Sequence, residues 1–382
     1  MKPVICGLDN LEKYDHLFRG KRLGLLTIPA AINAEYQDSI EVLSKRYHVT
    51  ALFSPEHGVR GDKQAGLPIS TYVDSHTGIT AYSIYGNETH AMTQEQTELF
   101  DVLVYDIQDV GSRFYTFTAN LKDCMYACAK AKKPLVVLDR PNPIGDKVEG
   151  NVPDAKYLSL VCAHTMPQRY GLTPGEFAQM LNGEQNINCE LYVVPMEGYR
   201  RNMPWDETGL HYLNCSPNLP NMDGVFLYNG TCYFEGTTVS EGRGTTRPFE
   251  YIGAPWLDPF ELADRMNQHN LPGVRFQPIY FTPTFSKHQG EVCGGVQVHV
   301  LDREALLPVD VGLWMLYECK LMTEAQGKDF WKPGKTPDSL GVDGLMCCDQ
   351  IHTDFDPEAL LAQWKKESAE FADRIEKYRI YR

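Results

Sequence analysis

The chain lacks most of the features that would settle its class at once. Over 382 residues no apolar run approaches the roughly 20 needed to cross a bilayer. The opening stretch Pro3-Val4-Ile5-Cys6-Gly7-Leu8-Asp9 is only briefly apolar, with no small-residue cleavage site. The chain therefore reads as cytoplasmic, or as periplasmic or secreted if a leader has been removed. Positive charge is in deficit: 36 Lys and Arg against 50 Asp and Glu leave a net charge of −14. A polyanion such as nucleic acid is disfavoured as a partner. Glycine (31) and proline (24) are too sparse for low complexity, and no internal repeat is visible. The 11 cysteines are odd in number and show neither a disulfide framework nor a paired Cys/His spacing for zinc. They read as small buried hydrophobes in a reduced protein, with no metal expected. There is no G-x-G-x-x-G after the first strand, no P-loop and no G-x-S-x-G elbow, so neither a dinucleotide nor any other cofactor is expected.

What the chain does have is alternation of strands and helices. Residues 22–27, 48–53, 102–106 and 135–139 are short, branched-rich, continuous apolar runs, the pattern of strands buried on both faces of a parallel sheet. An alanine- and lysine-rich helix is expected over 120–132, closed by Pro134. Further strands are expected at 158–163 and 190–194, around a helix started by the capping box Thr173-Pro174-Gly175-Glu176. A loop rich in Pro and Asn occupies 205–220, and beyond it the texture changes. Residues 294–300 alternate as a strand, and 356–379 carry apolar residues at helical spacing, predicting a helix docked on its own domain. The fold class is α/β, with domains over 1–226 and 227–382.

The informative residues stand just beyond each strand, because ligands of open parallel sheets bind outside the carboxyl ends of the strands. Glu56 follows Ser54-Pro55 and precedes His57-Gly58, on a stiff turn; it is either a general acid or a turn carboxylate capping the next element. Asp106 and Asp109, with Arg113 four residues on, form a strand-end ion-pair network, a carboxylate-binding fork, or, with His57, a divalent-cation site for a metal-dependent hydrolase. Glu241 and Arg243 stand among glycines in Ser240-Glu241-Gly242-Arg243-Gly244-Thr245, a solvated turn or a close-approach binding loop.

These motifs, with Tyr105-Asp106-Ile107-Gln108-Asp109-Val110-Gly111-Ser112-Arg113 and Leu138-Asp139-Arg140-Pro141-Asn142-Pro143, resemble the NamZ-type exo-β-N-acetylmuramidases over almost the whole chain. The resemblance implies a Rossmann-like N-terminal domain, a smaller α+β C-terminal domain and an active cleft between them. It also implies a glycoside hydrolase that releases N-acetylmuramic acid (MurNAc) from the non-reducing ends of peptidoglycan fragments. Glu56 becomes the candidate acid, with Asp106, Asp109 or Glu241 as second group, unless the substrate's acetamido group attacks. The lactyl carboxylate of MurNAc calls for a guanidinium. Arg113 and Arg243 are the first choices, with Arg60 and Arg140 behind them. His57, Tyr115 and Asn142 complete the candidate substrate-binding set, and Tyr233 is a further candidate for stacking on a sugar face. A muropeptide-binding protein without catalysis is the alternative on the same fold.

Overall fold

The computed structural model describes residues 3–61, 70–84, 92–334 and 339–382. Its first half is built on seven strands: β1 (Arg22–Thr27), β2 (His48–Ser54), β3 (Tyr72–Val73), β4 (Thr80–Ser83), β5 (Val102–Asp106), β6 (Leu135–Leu138) and β7 (Leu191–Val194). They lie in the order β3-β4-β2-β1-β5-β6-β7. All neighbours are parallel except β3, which runs antiparallel to β4 at the edge. The central strands are apolar throughout because helices cover both faces, and β5 and β6 are buried at every residue. The chain proceeds from β1 through β2 to β4 on one side, then crosses to β5 on the other, so the order reverses at β1 and β5.

The helix Phe117–Ala131 connects β5 to β6, as the alanine-rich stretch predicts, but starts earlier. The helix Pro174–Glu184 begins with the expected box: the Thr173 hydroxyl accepts from Glu176 N at 3.3 Å, and the Glu176 carboxylate from Thr173 N at 3.0 Å. The expectation of a strand at 158–163 is wrong. Ser159 and Cys162 exchange both backbone hydrogen bonds in a tight turn, while β7 takes the place beside β6. The apolar run there serves a cavity wall instead of a sheet.

The second half contains three antiparallel strands, β8 (Tyr251–Ala254), β9 (Val274–Phe281) and β10 (Cys293–Val300), in the order β8-β10-β9. Residue 226 falls inside the helix Met222–Thr231, which packs on the helix Pro308–Ala325. Their backbones touch where Gly230 meets Gly312; a Cβ on Gly230 would sit 1.9 Å from the Pro308 carbonyl oxygen. The helix Pro357–Ile375 buries Leu360, Trp364, Phe371 and Ile375. It does not dock on the second half alone. Ser368 Oγ donates to Gly150 O at 2.8 Å and Arg374 to Thr165 O at 2.6 Å, both in the first half. One apolar core accordingly runs from the sheet, through Leu26 and Phe53, into the second half at Val296 and Trp364. All the cysteines are free thiols, and every one except Cys348 is buried. No helix among the described residues is long and apolar enough to cross a membrane.

Candidate active site

β2 delivers the chain to Pro55 and Glu56, and the turn is tight enough to force His57 into the left-handed region at φ 76°. The Thr116 hydroxyl, just before the helix Phe117–Ala131, donates to Glu56 Oε2 at 2.9 Å. Glu56 and His57 face a cavity of about 170 Å³. Phe114, Tyr115 and Thr116 line it from the first half; Tyr228, Glu235, Arg243, Phe249 and Leu345 line it from the second. Its aromatic wall is locked edge to face, the Tyr228 ring centroid lying 6.0 Å from that of Tyr115 and 4.8 Å from that of Phe249.

Arg243 is the cation of this cavity. Its Nη2 meets Glu235 Oε1 at 2.6 Å, its Nε lies 3.3 Å from Glu241 Oε1, and its guanidinium stacks 5.1 Å over the Phe249 ring. Glu241 is buried, which alone would raise its pKa, but Lys287 at 2.7 Å and Arg243 hold it below the usual carboxylate value. Gly242 and Gly244 both have positive φ, at 78° and 83°, which turns the loop so that Glu241 and Arg243 are held together.

The cavity thus gathers Glu56, His57, Tyr115 and Arg243, with Glu241 behind Arg243. The other sequence candidates lie elsewhere. Asp106 is gripped by Arg140, Nε to Oδ1 at 2.5 Å and Nη2 to Oδ2 at 2.9 Å, and also accepts from Ser39 Oγ at 2.6 Å. Asp109 folds back onto Val110 N and Gly111 N at 2.6 and 2.9 Å, and burial pushes its carboxyl up to about 6. Arg113 does not reach the cavity: it is wholly buried and donates to the carbonyls of Asn151, Met166, Leu345 and Met346. The four carbonyls engage Nη1 and Nη2 and leave the buried Nε without a partner, so the side chain is a brace between the halves. Arg60 forks onto Asp74 at 2.9 Å and pairs with Asp38 at 2.7 Å. Asn142 donates to Leu172 O and accepts from Ile144 N. Tyr233 is buried against Phe114, away from the cavity lining. With both Asp106 oxygens held by Arg140, the proposed trio of Asp106, Asp109 and His57 does not form a cation site. Among the described residues no cluster of three His, Cys, Asp or Glu is arranged to hold a metal.

Glu235 is the residue that sequence reasoning missed. It sits in a short 3-10 turn, Cys232–Gly236, and becomes a partner of Arg243 only through the loop between them. Neither helical nor strand spacing links residues eight apart across an irregular loop.

The switch point of the sheet, between the carboxyl ends of β1 and β5, would be the usual binding crevice. Here the Asp106–Arg140–Ser39 network leaves a hollow of only about 90 Å³, lined by Ile32, Gln108 and Arg140, and the larger cavity with Glu56 opens beyond β2. A crevice of about 870 Å³ around Arg169, Phe226 and Arg303 is also lined from both halves but contains none of the candidate acids.

Residues 23–223 match the N-terminal and residues 226–381 the C-terminal domain of the exo-β-N-acetylmuramidase NamZ. The chain is 40% identical to the peptidoglycan β-N-acetylmuramidase NamZ of Bacillus subtilis strain 168, over all of this chain and 92% of that protein. Among solved structures, a DUF1343 family protein of Bacteroides fragilis superposes with a TM-score of 0.89 at 34% identity, covering 100% of this chain and 99% of that one. A second DUF1343 protein of the same organism gives 0.77 at 28% identity, again over 100% and 99% of the two chains. With both domains matched in order and a full-length relative at this identity, the chain belongs to the NamZ family of exo-β-N-acetylmuramidases.

Proposed function

We propose that this protein hydrolyses the β-glycosidic bond of MurNAc at the non-reducing end of peptidoglycan fragments, an exo-acting step in cell-wall turnover. One observation carries the reading: a single small cavity joins Glu56 from the sheet half to Arg243 and Glu235 from the other. The division into domains at 1–226 and 227–382 puts the acid and the cation on different domains. At about 170 Å³ the cavity is smaller than sites for drug-sized ligands, roughly 300–1,000 Å³, which suits one terminal sugar better than a length of glycan.

Glycoside cleavage needs a proton for the departing oxygen and stabilisation of an oxocarbenium-like transition state. Glu56 supplies the proton, with the Thr116 hydroxyl fixing its orientation. Glu235 is the second carboxyl, activating water or balancing positive charge on the ring. Glu235 and Glu241 engage Nη2 and Nε of Arg243, which leaves Nη1 for the lactyl carboxylate that distinguishes MurNAc from N-acetylglucosamine. The net charge of −14 opposes an anionic sugar, but screening confines that repulsion to a Debye length of about 8 Å at physiological salt. Local guanidinium geometry therefore decides binding. The reading requires neither metal nor nucleotide.

The test is release of chromophore from a β-MurNAc glycoside by purified protein, beside the Glu56→Gln variant with its melting temperature recorded. Turnover is expected in the first and near-complete loss in the second. Equal turnover in a folded variant removes Glu56 from the mechanism.

A further inference from the structure

Behind Arg243 stands a second cation, outside the cavity lining. The loop 282–292, between β9 and β10, folds back over the segment that carries Glu235, Glu241 and Arg243. Thr284 N and Thr284 Oγ1 both donate to Gly244 O at 2.9 Å, and His288 Nε2 donates to Thr238 O at 2.8 Å. The His288 ring is set in turn against Trp256, edge to face at 5.1 Å. Between them, the largely buried Lys287 donates from Nζ to Phe234 O and to Val239 O, each at 2.6 Å. The same Nζ lies 2.7 Å from Glu241 Oε2 as an ion pair. A compact ammonium suits three acceptors that approach from different directions, where a planar guanidinium fork would not.

Those contacts divide the two oxygens of Glu241. Oε2 faces Lys287, and among the described residues no hydrogen bond reaches it from elsewhere. Oε1 lies 3.3 Å from Arg243 Nε. With one oxygen taken, Glu241 meets the guanidinium at a single nitrogen, and Nη2 stays on Glu235 Oε1 at 2.6 Å. Charges therefore alternate in sign through the contacts Lys287, Glu241, Arg243 and Glu235. The cluster at the end of β5 shows the alternative. Among the described residues Asp106 pairs with no second cation, and Arg140 closes on both its oxygens through Nε and Nη2. Arg243 presents Nε and Nη2 on the same side, with only Nε on Glu241.

We infer that Lys287 is a positioning residue: by occupying Glu241 Oε2 it prevents Arg243 from closing a fork on Glu241, and so keeps the guanidinium shared with Glu235 at the cavity. Removing the ammonium leaves a buried carboxylate oxygen without a counter-charge, a costly state that the structure relieves with the nearest cation. That cation is Arg243, already in contact through Nε. A two-oxygen fork is the strongest pairing a guanidinium and a carboxylate can make. Forming it draws Nη2 away from Glu235 and turns the guanidinium from the position that meets the lactyl carboxylate. Lys287 thus acts on substrate only through Arg243. The consequence for turnover rests on the proposed function; the placement of the guanidinium does not.

The experiment compares the full-length wild type, Lys287→Met, and Lys287→Met combined with Glu241→Gln. Each is measured for KM and kcat on the β-MurNAc glycoside and for melting temperature, and each is crystallised. Lys287→Met is expected to raise KM by about 10–100-fold, the share of one charge-assisted fork, and to lower kcat by a smaller factor. Its crystal structure is expected to show Arg243 Nε and Nη2 on the two Glu241 oxygens, with Glu235 released. Adding Glu241→Gln removes the anion that captures Arg243, so KM is expected to recover most of its loss. A loop that had merely lost packing would gain nothing from the second substitution. Arg243 still on Glu235 in the Lys287→Met structure, or a double variant no better than the single one, overturns the inference. Should Lys287→Met not fold, Lys287→Gln keeps amide donors for the two carbonyls, removes the charge and is read in the same way. If the wild type cleaves no MurNAc glycoside, the proposed function fails separately, and the place of the guanidinium in the crystal structures still decides the role of Lys287.

Discussion

Two arginine–carboxylate clusters in this protein have the same ingredients and opposite consequences. At the end of β5, Arg140 is chelated by both oxygens of Asp106 and donates its remaining nitrogen to Ile32 O at 2.9 Å, so every group is answered from within the fold. In the second half, Arg243 is shared by Glu235 and Glu241 but borders an open volume, opposite a carboxyl from the other half. The first cluster uses its charge within the fold and leaves a hollow of only about 90 Å³ where an α/β sheet commonly binds its ligand; the second leaves a charge for a ligand to complete. An ion pair becomes a binding element through adjoining space, not through the identity of its members. A buried, fully satisfied pair acts chiefly on the fold.

That contrast can be broken experimentally, and the largest effect lies in the open site. Glu56→Gln is expected to lower kcat by about 10²–10⁴-fold, the usual share of a general acid, while leaving the denaturant midpoint near wild type. Arg140→Ala strands Asp106 without its partner in a buried site. Unfolding free energy measured in urea is expected to drop by about 3–5 kcal/mol, and Arg140→Met with Asp106→Leu to regain much of it. A raised KM in an Arg140 variant that stays folded would erase the distinction between the clusters. Arg243→Met is expected to cut kcat/KM for a β-MurNAc glycoside by about 10–100-fold and to spare the β-N-acetylglucosaminide, since one charge-assisted fork contributes about 1.5–3 kcal/mol. Equal loss on both sugars would assign Arg243 to the fold or to the chemistry instead of to the lactyl group. Thr116→Val removes a single hydrogen bond to Glu56 and is expected to lower kcat less than tenfold, measured on the same glycoside beside wild type.

The smallest effect concerns Asp109. Its folded pKa, raised by burial to about 6, lies above the ordinary 3.8, so the folded chain binds the proton more tightly than the unfolded one. Its contribution is fully present below the unfolded value and is lost as pH rises through the folded one. Asp109→Asn keeps the acceptor for Val110 N and Gly111 N but cannot ionise. Its melting temperature relative to wild type should climb by a few degrees between pH 4.5 and 7; a constant difference would show that the carboxyl does not titrate there.

The sheet was legible because continuous apolar runs admit few other structures, and strands at 22–27 and 102–106 stand where the spacing puts them. The edge strands Tyr72–Val73 and Thr80–Ser83 were not, since they are short and half exposed and have no such run. The same limit misplaced 158–163, whose apolar residues answer to a cavity instead of to a sheet. Within the site, Glu56 and Arg243 carry local signals, a proline-stiffened turn and flanking glycines. Arg113 carries an equally strong one, yet its neighbours are carbonyls from residues 151, 166, 345 and 346, contacts that no local pattern encodes. Glu235 is the converse case, an unmarked residue brought to the cavity by a loop.

The helix Pro357–Ile375 leads to a contact that bears on synthesis. Tyr381 donates its hydroxyl to Asp139 Oδ2 at 2.6 Å, 242 residues away, and Asp139 also anchors Thr173 Oγ1 and Gly175 N at the next helix start. Ribosomes add about 5–20 residues per second, so Asp139 waits roughly 10–50 s for this partner. Throughout that interval a buried carboxyl whose folded pKa is about 7 lacks one of its donors. Until translation reaches residue 381, Asp139 has only the donors of its own half, Arg140 N, Thr173 Oγ1 and Gly175 N, so the last tie at the end of β6 is made by the C-terminus.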